Sequence, residues 1–184
     1  MTKIHIHHGI MTNGRKSTDI LADRLIAEGY DINNPDFPGF ATPRTANWFA
    51  KYYAKKLVKQ IKKGDNAIGH SHGALVLLEC MRRGAEFDTV IFLSAAVDRQ
   101  IVFPYHGFKK LINVHNPKDI ALLAGKYLPN SKMGAMGREG YLGPRDERVE
   151  NLMRKSRVGK LNHTKPYFHG DGLAWSMDLC KEHL

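Results

Sequence analysis

Residues 67–78 read AIGHSHGALVLL: an apolar pair, a Gly-x-Ser-x-Gly pentapeptide and a strongly apolar run. This order is typical of a strand, a sharp turn and a helix, the context in which the pentapeptide lifts a serine clear of a sheet. Gly69 and Gly73 suit such a chain reversal, because side chains at these positions would collide with neighbouring backbone. The pattern makes Ser71 a candidate nucleophile, with an ordinary glycine-rich turn as the alternative interpretation.

The length and composition indicate one domain covering residues 1–184. A chain of 184 residues with 42% hydrophobic content can bury one good core and is short for two. No apolar run approaches the ~18 residues of a membrane span, and the first residues lead into a strand-like alternation instead of a signal peptide. We therefore expect a cytoplasmic protein without a membrane span. The formal net charge of +10 suits an anionic partner but does not indicate a fold or a reaction.

Strand and helix patterns alternate along the chain. The predicted strands are Lys3–His7, Tyr30–Ile32, Ala67–Ile68, Thr89–Leu93, Leu111–Val114 and Val149–Met153. The predicted helices are one that begins near Ile20 and ends near Gly29, and Arg44–Lys63, His72–Arg83 and Gly172–His183. The glycine-rich stretch Met133–Pro144 is predicted to be a loop. Alternation of this kind predicts the α/β class: a three-layer α/β/α sandwich with a mostly parallel central sheet.

The helix predicted over 44–63 has an apolar face and a lysine stripe. The apolar face consists of Phe49, Tyr53, Leu57 and Ile61, and the stripe of Lys51, Lys55, Lys59 and Lys62 or Lys63. The simplest interpretation of the stripe is a solvated face, and anion binding is the alternative.

These elements together resemble the α/β-hydrolase fold, over nearly the whole chain. The resemblance is closest to small single-domain serine esterases and hydrolases of bacterial and phage type. It implies a minimal member of the superfamily without a lid domain, because few residues separate the strand beginning at Thr89 from the one beginning at Leu111.

The resemblance implies a triad in the chain order Ser, Asp, His. Ser71 would be the nucleophile, and Asp119, just after the strand Leu111–Val114, would be the acid. Asp98 is the nearest rival acid, but it comes earlier than the usual position in the family. An N-cap to the short helical segment 120–124 is the alternative role for Asp119.

Two histidines lie where the family carries its base. His163 begins a stretch, His-Thr-Lys-Pro-Tyr-Phe, that resembles the His-Ser-x-Tyr-Phe pattern of some small hydrolases, although an insertion around Pro166 departs from it. His169 stands immediately before the closing helix, as the base does in many members of the fold. The resemblance favours His163 and leaves His169 as the alternative.

The oxyanion hole is expected from two backbone N–H groups. One is that of His72, which begins the helix after the nucleophile. The other is that of Ile10, with Met11 as the alternative, because His8-Gly9 resembles the His-Gly turn of lipases and esterases. Candidate apolar walls for an acyl group are Phe37, Phe40, Met11 and Tyr105, for each of which ordinary packing is an equal alternative.

The resulting hypothesis is a carboxylesterase-like serine hydrolase that works through an acyl-enzyme and needs no cofactor. An open site without a lid suits a small-molecule or polymer-linked acyl ester. A thioester or an amide is also compatible with the residues, as is acyl transfer by the same triad. The sequence leaves the oligomeric state open.

A metal enzyme is the first alternative, since the chain has ten histidines. His70-x-His72 resembles the start of the ligand set of metallo-β-lactamases, but Ala74 and Leu75 stand where further ligands should be. His5-Ile6-His7 resembles the opening strand of metal-dependent amidohydrolases, whose barrel needs about 250 residues. We therefore expect no metal.

A noncatalytic protein of this fold that binds an anionic partner is the second alternative. The helix face within 51–63 and the basic segment 154–160 would supply the positive charge. Nucleic acid is disfavoured as the partner, because no aromatic stacking motif is evident beside these charges.

Overall fold

The computed structural model describes residues 2–9, 17–35, 45–127, 134–154 and 163–184. Within these ranges the strands are β1 (Lys3–His7), β2 (Asp31–Asn33), β3 (Asp65–His70), β4 (Phe87–Leu93), β5 (Phe108–His115) and β6 (Val149–Met153). The helices are α1 (Thr18–Ala27), α2 (Ala46–Leu57), α3 (His72–Met81), α4 (Ile120–Tyr127), α5 (Met136–Glu139), α6 (Lys165–Phe168) and α7 (Asp171–His183).

The six strands form one sheet in the order β2-β1-β3-β4-β5-β6, and every neighbouring pair is parallel. Parallel pairing requires a crossover between successive strands, and helices supply it everywhere except between β4 and β5, where the crossover is irregular. The carboxyl ends of all strands therefore meet at one edge of the sheet. Ser71, Ser94 and Asn116 follow β3, β4 and β5 at this carboxyl edge.

The core is divided by the sheet into two clusters. α2, α3 and α5 contribute to one cluster, and α1, α6 and α7 to the other. β4 serves both, since Val90 and Phe92 belong to the first cluster while Ile91 and Leu93 belong to the second. Burial on both faces explains the uninterrupted apolar run of this strand. The predicted three-layer α/β/α sandwich is confirmed.

The helix predicted over 44–63 is shorter in the structure. α2 ends at Leu57, and the chain tightens into a turn in which the Gln60 N–H donates to the Leu57 carbonyl at 2.8 Å. Its buried side chains are Ala46, Ala50, Ala54 and Leu57, while Phe49 and Tyr53 are only half-buried. The small side chains allow close packing of α2 on α3, and α2 and α3 are neighbours in the first cluster.

The loop predicted over 133–144 contains the short helix α5. Gly137 explains both why α5 can form here and why the sequence pattern did not predict it. A Cβ on this residue would lie 2.1 Å from the Ala95 nitrogen. The glycine allows α5 to pack against the backbone after β4, yet it weakens the helical pattern in the sequence.

Between β4 and β5 the chain is fully described over residues 94–107, and it forms no helix or strand there. No lid domain is inserted at this position. Among the helices of the described ranges, none has the length and apolar character needed to cross a bilayer.

Candidate active site

Ser71 occupies the turn between β3 and α3 with φ 54° and ψ −119°. A positive φ is rarely adopted by a residue other than glycine, and such strain persists only where surrounding bonds hold it. The Ser71 N–H donates to the Leu93 carbonyl at 3.0 Å, and the Ser71 carbonyl accepts the N–H groups of Ala74 at 3.2 Å and Ala96 at 3.0 Å. The turn is thereby tied to α3 and to the end of β4.

The two glycines of the pentapeptide are required by close approach. A Cβ on Gly69 would lie 2.8 Å from the Ala74 Cα, and a Cβ on Gly73 would lie 2.1 Å from the His7 carbonyl oxygen. Side chains at both positions would therefore collide with backbone, as the pattern predicted. The absence of side chains lets α3 begin directly against the end of β1.

The His8-Gly9 turn lies against the serine side chain. A Cβ on Gly9 would stand 2.9 Å from the Ser71 Cβ and 3.2 Å from its Oγ. The ring of His8 holds the turn, with Nδ1 and the Gly9 carbonyl oxygen 2.7 Å apart. Ile10 and its alternative Met11 lie outside the described residues, so the second oxyanion donor stays a prediction.

Asp119 and His163 come together at the same edge of the sheet. The distance from His163 Nδ1 to Asp119 Oδ2 is 2.6 Å, and the side chains are 17% and 0% exposed. The other carboxylate oxygen of Asp119, Oδ1, accepts the Leu122 N–H at 3.1 Å at the start of α4. Asp119 is therefore both a helix cap and the partner of a histidine, and the capping bond helps to orient the carboxylate toward His163.

The environment of Asp119 keeps its carboxyl ionised. Burial on its own would raise the pKa of Asp119, but several interactions outweigh burial and lower the pKa below its ordinary value. They are the hydrogen bond and the charge of His163, followed by the hydrogen bonds from the Leu122 N–H and the Ser94 hydroxyl. A buried carboxylate with this many donors can stabilise a cationic imidazole.

Ser94 and Tyr167 extend this arrangement, and sequence reasoning did not identify either of them. Ser94 is buried at the end of β4 with φ 47°, and its Oγ lies 2.9 Å from the Tyr167 hydroxyl. The Ser94 hydroxyl also helps to lower the pKa of Asp119, so Ser94 and Tyr167 form a chain of hydroxyls behind the acid. A serine at the end of a strand and a tyrosine four residues after His163 were the available signals.

His70, the residue before the serine, positions the segment that carries His163. Its Nε2 lies 3.3 Å from the His163 carbonyl oxygen, and the two rings lie 4.7 Å apart, centroid to centroid. The ring of Phe168 meets it edge-on at 5.0 Å. Burial, with a further contribution from the charge of His163, lowers the pKa of His70 to about 3. A neutral His70 donates from Nε2 to that carbonyl.

The other candidate residues lie elsewhere. His169 is exposed after α6, and Asp98 is exposed in a turn where it accepts the Gln100 N–H at 2.9 Å. The prediction that Tyr105 could line an acyl pocket is wrong, because it lies 80% exposed just before β5, at the amino edge of the sheet. Phe37 and Phe40 lie outside the described residues.

The histidines near the strand ends are held in separate contacts. The Nε2 of His72 lies 2.7 Å from the Ala46 carbonyl, which ties the start of α3 to the start of α2. His5 binds Asp65, and His70 binds the backbone of His163. Within the part of the chain that the structure describes, no three His, Cys, Asp or Glu side chains are arranged to hold a metal ion.

Comparison with solved structures identifies the fold. The ydeN gene product from B. subtilis matches with a TM-score of 0.64 and 14% identity, over 100% of this chain and 98% of that chain. Mouse alpha/beta hydrolase domain-containing protein 10 matches with a TM-score of 0.62 and 12% identity, over 98% and 88% of the two chains. This chain has an α/β-hydrolase fold. No protein-family model matches it, and neither does any curated protein.

A third α/β-hydrolase match is the esterase domain from a Rhodothermus marinus protein. Its TM-score is 0.57 at 15% identity, over 98% of this chain and 84% of that chain. The similarity to all three structures covers nearly the whole chain, so the minimal α/β-hydrolase fold is a property of the entire domain.

Proposed function

We propose that this protein is a carboxylesterase-like serine hydrolase that cleaves an ester through an acyl-enzyme. The observation that carries the proposal is the 2.6 Å contact between His163 Nδ1 and Asp119 Oδ2, at the sheet edge where Ser71 sits on a strained turn. Together they are the acid, base and nucleophile that acyl transfer requires.

In the proposed reaction His163 is the general base. Its Nδ1–H donates to Asp119, which leaves Nε2 as the nitrogen that accepts the Ser71 proton when Oγ attacks the acyl carbonyl. Asp119 then stabilises the imidazolium, and His163 returns the proton to the leaving group. Water, activated by the same imidazole, hydrolyses the acyl-enzyme. The exposed position of His169 supports His163 over it as the base.

The oxyanion of the tetrahedral intermediate would be bound by the backbone N–H of His72 and by that of Ile10. His72 is the first residue of α3, where an N–H has no acceptor within the helix. One such donor contributes about 3 kcal/mol to transition-state stabilisation. The contact of Gly9 with the Ser71 side chain supports a second donor from the same turn.

The proposed substrate is a small-molecule or polymer-linked acyl ester. No lid is inserted between β4 and β5, which supports an accessible site, and one of the fold neighbours is an esterase domain. An acyltransferase would use the same groups, with an alcohol or amine taking the place of water in the second step.

Hydrolysis of short-chain p-nitrophenyl esters tests the proposal. Ser71→Ala is expected to lower kcat/KM by on the order of 10⁶, whereas Ser176→Ala, which changes a buried serine of α7, should leave it within about threefold. Wild-type protein without esterase activity on any of these esters, or Ser71→Ala with wild-type activity, would contradict the proposal.

A second pair of variants tests the identity of the base. His163→Ala should lower kcat/KM by on the order of 10⁴ to 10⁶, and His169→Ala should retain most of the activity, provided that circular dichroism shows both to be folded. The opposite result would assign the base to His169.

A further inference from the structure

The solvent side of α2 combines aromatic rings with lysines. The inward side chains are Ala46, Ala50, Ala54 and Leu57, so the helix packs on the core mainly through small residues. We use the name outer face of α2 for the exposed residues Trp48, Lys51, Tyr52, Lys55 and Lys56. Trp48 is 63% exposed and Tyr52 44%, which is unusual for two large rings on one helix.

The rings form a column along the helix. Trp48, Tyr52 and Lys56 are four residues apart and so lie one above the other. The Trp48 and Tyr52 rings stack with centroids 5.6 Å apart and an interplanar angle of 12°, and the Lys56 ammonium stands 4.6 Å from the centroid of the Tyr52 ring. At 100° per residue, Lys51 and Lys55 lie on one side of the line through Trp48, Tyr52 and Lys56. The two stacked rings therefore have lysines along one side and the Lys56 ammonium at one end.

The charged residues of the segment that carries this column are all of one sign. Residues 45–64 contain six lysines and no aspartate or glutamate. Lys63 pairs with Glu86 beyond the helix, whereas the lysines of the outer face have no acidic residue within one helical turn. The surface thus complements an anionic partner.

We propose that the outer face of α2 docks on the surface of an anionic lipid bilayer. Lysines near such a surface are attracted by about 1 kcal/mol each, and Trp and Tyr favour the headgroup region, where the polar edge of the ring stays hydrated. The outer side of a helix is convex, and it can meet a flat membrane along its length. Single-stranded nucleic acid fits less well, because base stacking needs a free ring face and Tyr52 is already covered by Trp48 and Lys56.

Docking would place on the membrane the helix whose opposite side contacts the candidate active site. Trp48 lies in the first turn of α2, and the carbonyl of Ala46 in that turn is bonded to the ring of His72, the residue after Ser71. This consequence rests on the proposed function. The docking itself does not, since vesicle binding can be measured without turnover.

Tryptophan fluorescence reports on docking directly. The chain has two tryptophans, so Trp175→Phe leaves Trp48 as the only one. Phosphatidylglycerol vesicles at low salt should shift the Trp48 emission to the blue, phosphatidylcholine vesicles should not, and about 0.5 M salt should reverse the shift because it screens the lysines. No shift with the anionic vesicles, or an equal shift with neutral ones, would overturn the proposal.

Charge-reversal variants separate local docking from attraction by net charge. Lys51→Glu/Lys55→Glu should weaken co-sedimentation with anionic vesicles at least tenfold. Lys109→Glu/Lys181→Glu changes the net charge equally on exposed lysines outside α2 and should weaken it less than threefold. Equal weakening by both pairs, or tighter binding to a single-stranded oligonucleotide than to vesicles at the same salt, would refute membrane docking. Circular dichroism and the melting temperature would verify that each variant is folded.

Discussion

Two histidine–aspartate pairs, one within the sheet and one at its carboxyl edge, differ in what the second ring nitrogen can do. In His163–Asp119 the contact is 2.6 Å and uses Nδ1, with the imidazole 17% exposed at the carboxyl edge. In His5–Asp65 the contact is 2.9 Å and uses Nε2, while Nδ1 of His5 accepts from the Asn33 amide at 3.0 Å. Both nitrogens of the fully buried His5 are therefore bound by the protein.

The difference shows why a histidine–aspartate pair is not by itself a catalytic pair. Asp65 also accepts the N–H groups of Lys62 at 2.8 Å and Lys3 at 3.4 Å, so this pair joins the start of β3 to β1. Burial lowers the pKa of His5, and its hydrogen bond to Asp65 opposes that effect only in part. We infer that the His5–Asp65 pair stabilises the fold and that the His163–Asp119 pair takes part in catalysis.

Replacing each histidine gives the largest expected contrast. His163→Ala should lower kcat/KM for a short-chain ester by on the order of 10⁴ to 10⁶, because it removes the proposed base. His5→Ala should keep activity within about threefold and instead lower the free energy of unfolding by about 2 kcal/mol, because Asp65 loses a partner. Ester kinetics and urea titrations measure both effects. Similar activity losses in the two variants would remove the distinction between the pairs.

Replacing the aspartate of each pair tests the same distinction between a catalytic and a structural pair. Asp119→Asn should lower kcat about 10⁴-fold, since an amide favours the wrong tautomer of His163 and cannot stabilise its cation. Asp65→Asn is the matched change in the other pair, and it should cost stability with little change in kcat. A fully active Asp119→Asn protein would exclude Asp119 as the acid.

The buried histidines should make stability depend on pH. Burial lowers the pKa values of His7 and His70 to about 3, against an ordinary 6.5. The unfolded chain binds protons below pH 6.5 that the folded chain does not, so each residue should lower the free energy of unfolding by about 1.4 kcal/mol per pH unit as the pH falls from 6.5 toward 3. Asp119 affects the free energy of unfolding only at lower pH. Its pKa in the folded protein lies below the ordinary value, so its stabilising contribution is lost as the pH falls through this folded pKa.

Urea unfolding at pH 7, 6, 5 and 4 measures this dependence. His70→Gln should reduce the slope by about 1.4 kcal/mol per pH unit. A free energy of unfolding that stays constant over this range would show that these histidines can become protonated without unfolding the chain.

The smallest expected effect concerns the hydroxyl chain behind the acid. Tyr167→Phe removes a hydroxyl 2.9 Å from Ser94 and should lower kcat/KM about three- to tenfold, in line with one neutral hydrogen bond of about 1 kcal/mol. Tyr141→Phe is the control, since it also removes one hydroxyl contact of 2.9 Å, to the Pro144 carbonyl, outside the site. Equal activity of the two variants would show that Ser94 orients Asp119 without Tyr167.

The sequence was sufficient for the features that local patterns determine. The pentapeptide around Ser71 predicted a strand, a turn and a helix, because only glycine fits where α3 meets β1. Asp119 could be located because it follows the strand Leu111–Val114, where the resemblance to α/β-hydrolases places the acid, whereas Asp98 follows an earlier strand. The bounds predicted for the strand 149–153 match β6.

The rest depends on tertiary packing. His163 and His169 are six residues apart, and the short helix α6 buries Tyr167 and Phe168, so that one histidine faces Asp119 and the other faces solvent. The role of Ser94 requires the ends of β4 and β5 to be adjacent. No local pattern carries that information.

The outer face of α2 escaped prediction for a similar reason. Phe49 and Tyr53 fit an apolar face by periodicity, but the tight packing against α3 selects the alanines at 50 and 54. The helix is thereby rotated so that Trp48 and Tyr52 lie among the lysines. The aromatic stacking that the sequence did not reveal is thus present in the structure.

Mass spectrometry of the adduct formed with a fluorophosphonate tests the central claim most directly. Two buried serines with positive φ, Ser71 and Ser94, follow neighbouring strands. Peptide mapping must therefore determine which of the two carries the adduct. We expect the phosphonyl group on Ser71, in wild-type protein and in His5→Ala, and no adduct in His163→Ala. An adduct on Ser94, or an undiminished adduct on Ser71 in His163→Ala, would contradict the assignment of nucleophile and base.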